Sequence, residues 1–496
     1  MLFRRHTRMS PRRFMLLLGD AGVVVLSILL AAFIRLAPHQ IDWFVYVTQH
    51  RFAFSLASAL FLLVMYASGM YEPVSLKRKS PAWFLPLVSS VVALTLLILV
   101  FFAWPDFQVG RGVLLLSGLF VCAGTWGMRL VYRMAAGMGF LSRNALVVGE
   151  PREARDVVHL IRRGDDTGYR VYGVVTHDIA PYGIFVEGVP ILGQIGHLRE
   201  FVEAYEIETV IVATPLSIEP MLLQQLRPLR YAGIELMDYT WLYEELAQEI
   251  PLDHIDDEWL MHAAMNSSVI HIRKIKRIMD VAVAILGLLL SAPFALIAAI
   301  TIRLDSPGPI LYRQRRSGMD GEPYTLLKFR TMKQDAEAGS GAVWAGKVDH
   351  RVTRVGAFLR KWRVDEIPQL LNVLKGEMSL VGPRPERPEF VETLAENIPF
   401  YRERLMVPPG ITGWAQVKYP YAASMDASRR KLQFDLYYIK HMRFLLDVQI
   451  LLRTFRTILI GLRHSEQEDS SVATQERYEL RVLEEPGTER DGTVGP

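Results

Sequence analysis

Hydrophobic residues in this chain gather in long blocks separated by short basic stretches. Four blocks open it, Phe14 to Leu36, Phe52 to Met70, Ala82 to Ala103 and Gly112 to Val131, each near the ~20 residues that a bilayer's hydrocarbon core requires. They predict a four-helix transmembrane bundle over residues 1–140. The first block lacks a small-residue cleavage site and three more spans follow, so it reads as a retained span and not as a signal peptide. Arg4, Arg5, Arg8, Arg12 and Arg13 precede the first span, Lys77, Arg78 and Lys79 join the second to the third, and Arg129, Arg133 and Arg143 close the fourth. The intervening loops carry little beyond Arg51 and Arg111. Positive charge therefore puts both ends of the bundle on the cytoplasmic side.

From Asn144 the blocks shorten. ALVVGE, VYGVV and TVIVAT read as strands alternating with helical segments, a βαβ pattern that predicts a Rossmann-like α/β domain over residues 141–265. The glycine after the first strand hints at dinucleotide binding, but GEPREA lacks the further glycines that let backbone approach a pyrophosphate. The favoured reading is a degenerate nucleotide-binding fold used as a scaffold for assembly or regulation.

A fifth block, Ile278 to Ile302, is interrupted by Ser291 and Pro293. Proline removes a backbone donor and bends a helix. Arg273, Lys274, Lys276 and Arg277 precede the block, and Arg303, Arg313, Arg315 and Arg316 follow it. Both ends are thus expected in the cytoplasm, as a re-entrant hairpin over 278–302 that breaks at Ser291 and Pro293; a full span would put everything after it outside. Further on, Leu432 to Leu462 interleaves apolar residues with Lys440, Arg443, Arg453 and Arg456. It reads as basic amphipathic helices, either lying on lipid or packed on the protein. Residues 464–496 are polar and acidic, a composition expected of a disordered tail.

Composition sharpens this picture. With 51% hydrophobic residues and a mean hydropathy of +0.18, the chain is too apolar for an ordinary soluble protein. Its one cysteine, Cys122, excludes a disulfide framework or a cysteine metal site. The net charge of +4 is small, but basic residues flank the apolar blocks, favouring anionic lipid and anionic substrates. No nucleic-acid motif is present.

The chemistry concentrates in RKWRVDEIPQLLNVLKGEMSLVGPRP, residues 360–385. Asp365 and Glu366 can supply a nucleophile and a metal ligand, and Arg384, held between Pro383 and Pro385, can present its guanidinium fork to a phosphate. An adjacent acidic pair alone means little; Asp257 and Glu258 form another. Read as a strand, KFR places Lys328 and Arg330 on one face, where they can steer phosphate.

The whole run resembles the signature of the bacterial polyprenyl-phosphate hexose-1-phosphate transferases. The resemblance extends to RLDSPGPILYRQRRSGMDGEPYTLLKFRTM (303–332) and PPGITGWAQVKYPY (408–421), and covers a catalytic domain of about residues 271–463. RPERPEFV and GWAQVKYPYAAS look most like the branch associated with exopolysaccharide and exosortase gene clusters. The resemblance implies a large monotopic phosphoglycosyl transferase that moves a hexose-1-phosphate from a UDP-sugar to undecaprenyl phosphate, releasing UMP, in an exopolysaccharide pathway. It makes Asp365 the nucleophile of a ping-pong reaction and Glu366 chiefly a ligand for Mg²⁺, with Asp365 as the other ligand. Arg384, Pro383, Pro385, Arg360, Lys328 and Arg330 are then the phosphate-binding residues. The commonest pattern has Ser-Leu where this chain has Arg363 and Val364, which is read as tuning. Arg360, Lys361 and Arg363 around Asp365 are expected to keep it ionised.

The expected setting is a bacterial inner membrane with the catalytic domain in the cytoplasm, in contact with membrane lipid, and a homodimer is plausible. Two other readings stand beside it. A membrane-anchored nucleotide-sugar dehydratase or epimerase needs a Tyr-x-x-x-Lys pair on one helical turn; Tyr324 and Lys328 have the spacing, but YTLLKF reads as a strand. A non-catalytic regulator of polysaccharide assembly needs no Asp365.

Overall fold

The computed structural model describes residues 11–71, 84–105, 109–137, 142–163, 167–177, 185–213, 220–255, 269–333, 351–419 and 424–460. The expected tail, the basic residues before Arg12, the loop lysines Lys77 and Lys79, and the acidic pair Asp257 and Glu258 lie outside them. The chain forms two compact units. The first runs to Lys276 and adds Glu392–Met406 and Ser424–Gln449; the second comprises Arg277–Val391, Val407–Ala423 and the chain from Ile450.

The first unit begins with helices α1 (Pro11–Leu36), α2 (Trp43–Gln49), α3 (Arg51–Ala67), α4 (Leu85–Ala103) and α5 (Arg111–Gly137). Among the described residues, α1, α4, α5 and a later stretch, Arg273–Asp305, are long and apolar enough to cross a membrane, and α2 with α3 form a bent pair meeting at 81°. Helices of this length and apolarity mark a membrane protein. The blocks read from the sequence reappear in order, and α2 is an addition. Asp42 caps it, its Oδ1 accepting from the backbone N–H of Phe44 at 2.9 Å and of Val45 at 3.3 Å. Inside the bundle Asp20 is fully buried and accepts from Arg129 and from the Tyr71 hydroxyl, each at 2.7 Å.

The α/β domain carries a six-stranded sheet in the order β3-β4-β2-β1-β5-β6, from β1 (Arg143–Val148), β2 (Tyr169–Thr176), β3 (Phe185–Val186), β4 (Val189–Gln194), β5 (Thr209–Val212) and β6 (Glu235–Asp238). All neighbours are parallel except β3 with β4. Alternation along β1 explains why both faces are covered. Ala145 and Val147 pack with Val157 and Val158 of α6 (Pro151–Arg163), while Leu146 and Val148 pack with Leu198 of α7 (Leu198–Ala204) and Leu222 and Leu226 of α8 (Pro220–Tyr231). This doubly wound arrangement is the one the βαβ pattern predicted.

Helix α9 (Tyr239–Ala247) leads from the sheet to α15 (Met425–Lys440) of the same unit: Glu244 accepts from Lys440 at 2.5 Å and pairs with His441 at 2.9 Å. Buried ion pairs fix α15 and the start of α16 (Phe444–Ile460), Arg404 with Asp435 and Lys276 with Asp447, both at 2.8 Å. Of the two readings of this basic region, packing on the protein is the one these pairs support.

Helix α10 (Val269–Asp305) runs 37 residues and continues through Ser291 and Pro293. The expected interruption is thus a proline inside one helix, because proline removes a single rung of the ladder and bends a helix without having to end it. Leu289, Leu290, Phe294, Leu296 and Ile297 on it are exposed. At its base in the second unit, Arg277 donates to the carbonyls of Val373 and Leu374 (2.5 and 2.8 Å), and Asp280 accepts from Leu380 N–H at 3.1 Å. These bonds tie it to α12 (Gln369–Lys375) and β9 (Ser379–Val381). An antiparallel hairpin, β7 (Leu311–Ser317) with β8 (Pro323–Phe329), and a parallel pair, β9 with β10 (Gly410–Thr412), complete the frame. Helices α13 (Pro388–Asn397) and α14 (Trp414–Lys418) fall between α12 and α15 along the chain.

Candidate functional site

Helix α11 (Arg354–Lys361) starts at Thr353, whose Oγ1 accepts from Gly356 N–H at 3.0 Å. Past its end Arg363 adopts left-handed angles, φ 53° and ψ 23°, which a branched-chain or charged residue enters only at a cost of about 1–3 kcal/mol. That reversal starts a single 3-10 turn, Val364–Glu366, after which Pro368 leads directly into α12. Asp365 and Glu366 are thereby buried side by side at the mouth of α12.

Their surroundings differ sharply. Glu366 Oε1 lies 3.3 Å from Lys328 Nζ and 3.7 Å from Arg384, and Oε2 lies 3.2 Å from Arg363. Burial alone would raise its pKa, but Lys328, Arg384 and Arg363 outweigh burial and hold it down to about 2. No hydrogen bond or ion pair engages the Asp365 carboxylate among the described residues. Burial first, and then the Glu366 charge, push the Asp365 pKa above the usual aspartate value, with Lys328, Arg360 and Arg384 pulling the other way. Of the cations expected to keep Asp365 ionised, Arg360 acts on it through its charge. Arg363 bonds to Glu366 instead, and Lys361 is exposed. Adjacent carboxylates with opposite shifts can take different chemical roles.

Arg384 comes to Glu366 on a loop clamped backbone to backbone. Gly382 N–H donates to the Thr412 carbonyl and Gly410 N–H to the Pro383 carbonyl, both at 2.9 Å. A Cβ on Gly410 would sit 2.1 Å from Gly382 N, and one on Gly413 would sit 2.2 Å from Gly382 O, so only glycine permits this approach. Pro385 is held through its carbonyl, which accepts from Arg316 at 3.0 Å, while Arg316 also pairs with Glu386 at 3.7 Å. Gly410 and Gly413 thus fix the loop that bears the arginine.

Lys328 reaches the carboxylates; Arg330 does not bond to them. The Arg330 guanidinium is buried and donates to the carbonyls of Ser306 and Pro307, each at 2.7 Å, bracing the end of α10. Arg360 donates to Thr331 Oγ1 at 2.9 Å while its charge acts on Asp365. Ser291 and Pro293 sit within α10. Tyr324 and Lys328 both lie on strand β8, so the helical pair a dehydratase requires does not form.

Among the described residues no three His, Cys, Asp or Glu side chains converge as a protein-only metal cage. Two carboxylates still suit Mg²⁺, a hard cation that keeps water and takes substrate phosphates as remaining ligands. Asp365 is the less encumbered donor of the two.

Residues 271–461 match the family model described as bacterial sugar transferase, and residues 66–236 match one described as a CoA-binding domain. An Aeromonas hydrophila protein named UDP-N-acetylgalactosamine-undecaprenyl-phosphate N-acetylgalactosaminephosphotransferase is 45% identical over 46% of this chain and 53% of its own length. The chain thus spans about half of that relative. A Bacillus subtilis protein named putative undecaprenyl-phosphate N-acetylgalactosaminyl 1-phosphate transferase is 54% identical over 26% of this chain and 73% of its own. The UDP-glucose:undecaprenyl-phosphate glucose-1-phosphate transferase of Escherichia coli is 32% identical over 68% of this chain and 72% of its own.

Proposed function

Because the chain belongs to the bacterial sugar transferase family, we propose that it transfers a hexose-1-phosphate from a UDP-sugar to undecaprenyl phosphate, giving undecaprenyl-diphospho-sugar and UMP. The product starts a repeat unit of an exported polysaccharide. The observation that carries this reading is the Asp365 carboxylate, unheld among the described residues, beside a Glu366 caged by Lys328, Arg363 and Arg384.

An Asp365 oxygen attacks the β-phosphorus; the bond to the α-phosphate oxygen breaks and UMP leaves, with the phosphosugar esterified to Asp365. An oxygen of the lipid phosphate then attacks the same phosphorus, the aspartyl bond breaks, and the carboxylate is regenerated. Arg384, the one exposed cation of the cage, grips phosphate by its guanidinium fork, with Lys328 adding positive charge behind it. Glu366 keeps these cations oriented and, with Asp365, would hold Mg²⁺, which would neutralise phosphate charge when bound. Basic residues on both flanks of the apolar part of α10 favour entry and exit on one face of the bilayer, which would require the helix to turn at Pro293 in lipid. That reading gives a re-entrant helix, a cytoplasmic catalytic domain and a bacterial inner-membrane location. The apolar helices and the α/β domain supply surfaces for a homodimer.

The test is UMP release by the purified full chain with Mg²⁺, undecaprenyl phosphate and a panel of UDP-sugars, beside Asp365→Asn. Release from one donor, lost in the variant along with a phosphosugar adduct seen by mass spectrometry, supports the reading and identifies the sugar. A folded wild type that is silent with every donor overturns it.

A further inference from the structure

We propose that Asn372 is a positioning residue, one that holds Lys328 in register against Glu366 by bonding the free edge of β8 as a neighbouring strand would. The inference rests on the functional reading above, in which Lys328 and Glu366 belong to the phosphate site.

Asn372 lies in the middle of α12 and is 0% exposed. Its Oδ1 accepts from Leu327 N–H at 3.1 Å, and its Nδ2 donates to the Thr325 carbonyl at 2.8 Å and to Glu377 Oε2 at 2.6 Å. Both amide protons and the carbonyl are thus engaged, which a fully buried amide requires. Helix formation does not ask for it, since asparagine is a poor helix interior residue beside leucine or alanine.

The two backbone groups it bonds belong to residues two apart on one strand, so they point off the same edge of β8, while β7 covers the other edge. A side-chain amide that accepts from one and donates to the other completes a short ladder and fixes the strand lengthwise. Lys328 is the next residue. A slip of one position would turn its side chain to the opposite face and present Leu327 or Phe329 to Glu366. At the other end of the contact, α12 begins three residues after Glu366. One buried amide therefore ties the strand carrying the cation to the helix behind the carboxylate, and the 3.3 Å contact between Lys328 and Glu366 inherits its geometry from both.

A double-mutant cycle on the full-length protein in lipid nanodiscs separates this role from a merely structural one. Asn372→Asp keeps shape and acceptor but sets an oxygen against the Thr325 carbonyl and the Glu377 carboxylate. It is expected to lower kcat for UMP release by about tenfold with KM within about twofold. In a Lys328→Met background the same change is expected to cost less than about twofold, because its effect passes through Lys328. Losses that multiply across the two positions, or a KM effect at constant kcat, would overturn the proposal. Asn372→Ser carries the cycle if Asn372→Asp is not recovered folded. The rate of Lys328 acylation, followed by mass spectrometry, needs no turnover: it rises in Asn372→Asp if the register loosens and stays at the wild-type rate if Asn372 has no hold on Lys328. A silent wild type with faster labelling in the variant would therefore sink the transferase reading alone.

Discussion

Arg384 brings a guanidinium nitrogen to 3.7 Å from Glu366 Oε1, across a loop whose prolines and glycines leave it little freedom. The carboxylate is shared with Lys328 and Arg363, so Glu366 is the counter-charge of the whole cationic cluster. Glu366→Gln should leave three cations facing one another and free to fall on Asp365. The expected result is a loss of UMP release of about a hundredfold or more, larger than for Arg363→Ala, with protein still recovered from the membrane fraction. Single-turnover assays check this; near-wild-type turnover in Glu366→Gln would remove Glu366 from the mechanism.

Gly410→Ala tests the clamp on the arginine loop. The added methyl would meet Gly382 backbone at 2.1 Å, and no flexible side chain is there to give way. UMP release should fall by at least about tenfold, since displacements near 1 Å at a reacting centre are costly. Gly127→Ala, with nothing within 4 Å of its Cβ, should behave as wild type in the same assay.

Lys328 and Arg330 should part company. Arg330→Lys breaks the paired bonds to Ser306 and Pro307 and leaves a buried charge poorly satisfied, at a cost of about 2–4 kcal/mol. The thermal midpoint should drop while KM for the UDP-sugar holds. Lys328→Met should do the reverse, with turnover lowered but still measurable and the midpoint nearly kept. A KM increase confined to Arg330→Lys would return that residue to the phosphate site.

Glu244 predicts an acid-sensitive seam. Burial would raise its pKa, but the hydrogen bond from His441 and the charge of Lys440 carry it below its ordinary 4.5. A folded value below the unfolded one means stability that is present above the unfolded value and lost as pH falls through the folded one. The thermal midpoint should therefore decline between about pH 5 and pH 3, and Glu244→Gln should flatten that decline. Parallel curves for the two proteins would remove Glu244 from the account.

Much of the site was legible because its chemistry is local. Asp365, Glu366 and the proline-flanked Arg384 lie in one run, and the βαβ pattern gave the doubly wound sheet. Arg330 was not: β8 ends at Phe329, and the Arg330 guanidinium turns to the carbonyls of Ser306 and Pro307 just past α10, contacts across 24 and 23 positions that alternation along KFR does not show. That burial raises the Asp365 pKa was not legible, because sequence lists neighbouring charges without saying which carboxylate they face or how deep it lies. Asn372 carried one available signal, a polar residue among the leucines of QLLNVLK. What it binds could not be read, since Leu327 is 45 positions away.

The buried pair of Asp20 and Arg129 has a bearing on how the chain is made. The two residues stand 109 positions apart, on helices that each qualify as membrane spans, and Gly19 and Gly124 let those helices touch closely. At about 5–20 residues per second, the first helix emerges from the ribosome roughly 5–20 s before its partner. For that interval its acid has no basic companion in hydrocarbon, where a lone charge costs several kcal/mol. The first helix carries that cost alone until the last helix of the bundle arrives, and the ion pair with Arg129 then offsets it.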